Sequence, residues 1–174
     1  MLSEPITLYK LMILYMLRQV NFPLTNAQLT DFFLAKEYTV YFTLQQALNE
    51  LLEAGLIRME SLHNSTRYEI TREGEDTLGF FGKKISPAII DDIDQYLREN
   101  RFRLRNEAST IADFYKSTGS DYIVHCEVRE GRESLIELNL AVPDKEQAEA
   151  MCSRWKARNQ EIYSYVMKAL MTPP

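Results

Sequence analysis

The stretch from Thr43 to Gly74 constrains this chain most, because its hydrophobic period changes twice and each change is punctuated by a residue suited to the break. From about Tyr41 to Ala54, Leu44, Leu48, Leu51 and Leu52 recur at helical spacing, and Gly55 follows where a helix ends in a left-handed turn. From Leu56 the period drops to two. Leu56–Ser61 and Thr66–Ile70 read as strands, and the polar, turn-prone His63-Asn64-Ser65 between them makes the pair a hairpin. Thr71 then caps a further helix running to about Phe81, and Gly74 lets that helix pack closely.

Two helices precede this stretch. Residues 5–20 carry apolar side chains on nearly every face, as expected of a helix surrounded by neighbours. Pro23 stops the pattern, and Thr25-Asn-Ala-Gln28 is a capping box, with Leu24 and Leu29 placed as a hydrophobic staple. A short helix should therefore run from Asn26 to about Leu34. Helix, helix, helix, hairpin, helix is the order of a winged helix.

The second half opens at Ser86-Pro87, a cap followed by proline at the first helical position. In that helix Asp91, Asp92 and Asp94 lie early and Arg98, Arg101, Arg103 and Arg105 late, which suits the helix dipole. Three strands follow: a poorly patterned one near residues 108–115, whose apolar spacing also fits a helix, then Tyr122–Arg129 and Ser134–Val142. The last two alternate, and Glu130-Gly131 provides a tight turn. Residues 145–171 form a long helix whose apolar side chains, among them Ala148, Met151 and Trp155, most simply lie across the sheet. The fold class is thus α+β: an N-terminal winged helix-turn-helix over residues 1–82, then a small antiparallel-sheet and long-helix domain over 83–174 for dimerisation or sensing.

Several function classes find no support. Two cysteines and six glycines exclude a disulfide scaffold, a zinc ribbon and a glycine-cradled nucleotide site, and they suit a reducing, cytoplasmic setting. The apolar run from Leu11 to Leu17 is too short to span a bilayer and lacks the basic lead-in of a signal peptide. His63 and His125 show no carboxylate or cysteine at an obvious metal-site spacing, and no nucleophile motif is present, so neither enzyme, metal nor cofactor is expected. The net charge of −5 is the wrong sign for gripping nucleic acid by bulk attraction. Neither half is basic either: the first 82 residues hold six basic and ten acidic side chains. A DNA-binding role has to rest on local geometry.

The run Thr43-Leu-Gln-Gln-Ala-Leu-Asn-Glu-Leu-Leu-Glu-Ala-Gly-Leu-Ile57, followed by Tyr68-Glu-Ile-Thr-Arg-Glu-Gly74 and Leu78, matches the pattern shared by winged-helix regulators. Over essentially its whole length, including the Ser86-Pro87 helix start and the two-strand-plus-helix ending, the chain resembles a family of predicted, uncharacterised transcriptional regulators of Gram-positive bacteria. Members of that family join a winged helix to a C-terminal α/β extension. The resemblance implies a dimeric, cytoplasmic DNA-binding regulator and supplies no catalytic motif.

The residues themselves suggest how double-stranded DNA would be met. Near the start of a recognition helix spanning about 41–54, Tyr41, Thr43, Gln45, Gln46 and Asn49 are placed to reach base edges. Gln and Asn bond bidentately to adenine, and Thr touches a thymine methyl. With no Lys or Arg on that helix, His63 and Arg67 in the wing (about 61–67) and Lys36 before the helix are the groove or phosphate candidates. One recognition helix reads few base pairs, so a homodimer is expected, with the first helix and the one starting at Ser86 as its interface. Trp155, with Tyr163 and Tyr165, is the candidate lining of a small-molecule effector pocket. The alternative in another class is a winged-helix protein-interaction module that does not bind DNA.

Overall fold

The structure, a computed structural model, describes residues 5–62 and 65–174. It is mixed α and β and divides into two compact units, 1–108 and 109–174. The boundary therefore falls 26 residues beyond the one expected at 82/83, and the helix opened by Ser86-Pro87 belongs to the first unit.

The first unit is built around α1 (Pro5–Gln19), in which every residue from Leu11 to Leu17 is buried. A helix apolar on all sides has to be enclosed. The other elements of this unit include β1 (Leu24–Thr25), α2 (Asn26–Ala35), α3 (Tyr41–Glu53), β2 (Ile57–Leu62), β3 (Ser65–Ile70), α4 (Arg72–Phe81) and α5 (Pro87–Ser109). Because their apolar side chains share one core with α1, including Leu29, Phe32, Leu48, Ile57, Leu78, Ile93 and Leu104, α1 keeps no free apolar face. The expected dimer interface on α1 and α5 is corrected on this point: both helices spend their main apolar stripes inside their own unit.

Local chemistry sets the element ends. Thr25 and Gln28 form the reciprocal capping box of α2, each side chain accepting from the other's backbone N–H at 3.0 Å. At the end of α3, Gly55 adopts φ +73°, with its N–H donating to the Leu52 carbonyl and that of Leu56 to the Leu51 carbonyl. This is a left-handed helix stop that any Cβ would strain. Thr71 caps α4 by accepting from Gly74 N–H, while its hydroxyl donates to the Gly55 carbonyl at 2.7 Å. A Cβ on Gly74 would lie 2.1 Å from the Leu56 carbonyl oxygen, so only glycine lets α4 sit this close to the start of β2. The sheet is antiparallel in the order β1-β3-β2, with Leu24 opposite Tyr68 and Met59 opposite Tyr68 on the other side.

Side-chain hydrogen bonds tie α5 to the rest of this unit. Tyr15 donates to Asp94 at 2.6 Å and Tyr38 to Asp92 at 2.5 Å; burial, followed by the bonded carboxylate, pushes both phenols up to about 12. Gln28 donates to the Leu104 carbonyl and to Glu107, and Arg67 donates to the Ala108 carbonyl. The acids that suit the helix dipole thus also receive long-range partners.

The second unit is one antiparallel sheet, in the order β4 (Thr110–Lys116), β5 (Tyr122–Glu130), β6 (Glu133–Val142), with α6 (Lys145–Met171) against one face. The segment whose spacing fitted either period is a strand, held by pairing with β5 from Thr110↔Val128 to Lys116↔Tyr122. Val124, Cys126, Ala148, Cys152 and Trp155 form its core. Both cysteines are free thiols. Gly131, at φ +63°, makes the turn between β5 and β6. Among the described residues no helix is long and apolar enough to cross a membrane.

Candidate nucleic-acid interface

Leucines on one side of α3 anchor it: Leu44, Ala47, Leu48 and Leu51 are buried in the core of the first unit. The opposite side is exposed. Phe42, Gln46, Asn49 and Glu53, spaced i, i+4, i+7 and i+11, are all exposed, Phe42 at 83% and its neighbour Tyr41 at 50%. Tyr41 and Phe42 meet edge to face at 5.9 Å. Val40, which precedes the helix, is also exposed and offers no side-chain cap to the first turn of α3.

The eight expected contact residues are not one surface. Tyr41, Gln46 and Asn49 are exposed on α3, Thr43 is half-buried there, and Lys36 is exposed at the end of α2. Gln45 is half-buried and held by Asn26, the two amides exchanging hydrogen bonds of 2.8 and 3.0 Å. Asn26 also donates to the Tyr68 hydroxyl. Gln45 therefore secures α3 to the start of α2, and its base-contact assignment is corrected to a positioning one. Arg67 needs the larger correction. Only 4% exposed, it donates from Nε to the Ala108 carbonyl at 3.0 Å and from a terminal nitrogen to Ser65 Oγ at 2.6 Å. A guanidinium committed to the end of α5 is withdrawn from any phosphate. The reason lies in register, since Arg67 sits opposite Thr25 on β1, a pairing that needs the short strand hidden inside the capping box. His63 lies outside the described residues.

The charges on α3 are acidic. Lys10 meets Glu50 at 3.2 Å, which answers one of them, and Glu53 lies at the far end of the exposed stripe. Lys36 is exposed at the end of α2, and the backbone N–H groups of the first turn of α3 receive no side-chain cap.

The second unit holds the one group of described residues with a metal-like donor set: atoms of His125, Glu127 and Glu137 lie within 4.8 Å of one another. On a strand i and i+2 share a face, and Glu137 is paired directly with Glu127, so the signal was His-x-Glu on β5 plus its cross-strand partner. The geometry is a strut. Glu127 approaches Nε2 of the ring at 3.0 Å, whereas Asn139 and Glu137 approach Nδ1, on the ring's other side, at 2.8 and 3.7 Å. Glu127 also receives Arg129 at 2.8 Å. Burial disfavours the charged imidazole, but the hydrogen bonds it donates to Asn139 and Glu127 and the two carboxylate charges outweigh it and hold His125 above its usual range. Burial likewise opposes the charge on Glu127, and Arg129 and His125 outweigh it, keeping that carboxyl below its usual range.

Trp155 is core. It is 3% exposed, and its indole N–H donates to the Glu127 carbonyl at 3.2 Å, so it cannot line an open effector pocket as it stands. Tyr165, expected beside it, is exposed.

One family model matches the chain, described as a domain of unknown function (DUF4364), over residues 9–170. No curated protein and no solved structure matches.

Proposed function

We propose that this chain, which belongs to the DUF4364 family, is a winged-helix transcriptional regulator of the cytoplasm that binds double-stranded DNA as a homodimer. The observation that carries the reading is the outward stripe of α3, in which Gln46 and Asn49 stand free of the core while leucines hold the opposite side. Two features support it. The order α1-β1-α2-α3-β2-β3-α4, with β1 paired to β3 and a β2–β3 hairpin, suits a helix-turn-helix flanked by a wing. The lack of a side-chain cap at Val40 leaves the positive end of α3 open to an anion. Because such a helix covers only a few base pairs, pairing two copies doubles the contacts. Nothing in the reading calls for catalysis.

Binding of the full chain to random-sequence duplex DNA, titrated with salt, tests this. Contact with phosphates makes affinity fall linearly in log–log form with rising salt. Since Arg67 is buried, the slope should be unchanged in a folded Arg67→Lys variant, and Lys36→Ala should reduce it by roughly one unit. No retention of duplex at low salt overturns the proposal.

A second reading has its own support. Val40, Tyr41 and Phe42 form an exposed apolar knuckle, and α3 bears no Lys or Arg, which suits a protein partner better than a polyanion. The same titration separates the two.

A further inference from the structure

We infer that the exposed stripe of α3 selects A·T-rich DNA, with Gln46 and Asn49 reading adenines and Phe42 packing on thymine methyl groups; the inference rests on the DNA-binding reading above. The stripe is short and chemically narrow. Phe42, Gln46 and Asn49 lie on one side of the helix, and the axial run from the first to the third is about 10 Å, close to three base-pair steps.

Each side chain in it has a preferred base edge. A carboxamide presents a donor and an acceptor side by side, which matches the N6 amino group and N7 of adenine. Two such groups three residues apart, both exposed and neither held by a protein partner in the way Gln45 is, can address neighbouring base pairs. An exposed aromatic ring at the start of the helix has no polar edge to offer, and the thymine C5-methyl is the apolar feature of the major groove. Guanine is recognised best by a side chain with two donors. No arginine or lysine lies on α3, and of the two arginines on the β2–β3 hairpin Arg67 is buried against Ala108 and Arg58 is paired with Glu69. Glu53, exposed at the end of the stripe, repels phosphate and confines close approach to the first two turns.

The test is selection of a random-core duplex library by the full-length protein at low salt, followed by atom-level substitution in the winning sequence. Enrichment of an A·T core is expected. Replacing its adenines by 7-deazaadenine, which lacks N7, should weaken binding roughly tenfold at each contacted position. Replacing thymine by uracil should weaken it less, and Phe42→Ala should abolish that smaller effect. Gln46→Arg, at an exposed position, should shift the base enriched there from adenine to guanine. A G·C-rich winner, or an A·T-rich one indifferent to 7-deazaadenine, overturns this inference and leaves DNA binding standing. Failure to retain any library member overturns the DNA-binding reading itself, and this inference with it.

Discussion

The first unit encloses α1 on all sides and stitches its outer helix down with Tyr15–Asp94, Tyr38–Asp92, Gln28–Leu104 and Arg67–Ala108 hydrogen bonds. The second places one helix on one face of a three-stranded sheet, and the last turns of α6 leave Tyr165, Met167, Leu170 and Met171 exposed. An enclosed core concentrates the penalty of substitution in buried carbon and close backbone approaches. A two-layer unit spreads it over a few residues and polar pairs on the sheet. The contrast therefore predicts where substitutions cost most.

The largest effect belongs to Phe32→Ala. Phe32 is fully buried and meets Phe33, Tyr38 and Tyr96 ring to ring, so its loss should cost about 4 kcal/mol in chemical denaturation followed by far-ultraviolet circular dichroism. A cost near zero would mean that the core of the first unit is not packed as described. Gly74→Ala comes next, at about 3 kcal/mol, because the new methyl collides with the Leu56 carbonyl, which is backbone and has little room to yield. Gly79→Ala is its control: a Cβ there meets nothing within 4 Å, and the same measurement should show no loss. Arg67→Ala should cost about 2 kcal/mol by leaving the Ala108 carbonyl without its donor; wild-type stability with weakened DNA binding would return Arg67 to the phosphate role.

Effects in the second unit are smaller. Trp155→Phe retains most of the buried ring but removes the donor to the Glu127 carbonyl, an expected loss of about 1 kcal/mol read by thermal unfolding. His125 and Glu127 make this unit pH-sensitive in opposite directions. A histidine held above its ordinary 6.5 stabilises fully below that value, and its contribution disappears as pH rises through the folded-state value. Glu127, held below its ordinary 4.5, contributes above 4.5 and loses its contribution as pH falls through the folded-state value. Unfolding of the second unit, followed by the fluorescence of the single tryptophan, should weaken from pH 6.5 upward. His125→Gln should flatten that limb, and an unchanged profile would remove the strut.

Local signals made much of this readable in sequence. The capping box at Thr25, the helix stop at Gly55, the Thr71 cap and the tight fit at Gly74 each depend on neighbours a few residues away, and all occur where the pattern placed them. Long-range pairing was not readable. Nothing in the sequence tells that Asp92 and Asp94 will accept from Tyr38 and Tyr15, the bonds that tie α5 to the first unit. The same holds for the interface candidates: Gln46 and Asn49 follow from helical period alone, whereas the fates of Gln45 and Arg67 depend on Asn26 and Ala108, 19 and 41 residues away.

The central claim is that α3 turns its polar stripe towards DNA. It is tested most directly by placing a photoreactive amino acid at position 46 or 165 of the full chain and irradiating with random duplex at low salt. A DNA adduct from position 46 and none from 165 is the predicted result. No DNA adduct from 46, with cross-links there only to protein, would contradict the account.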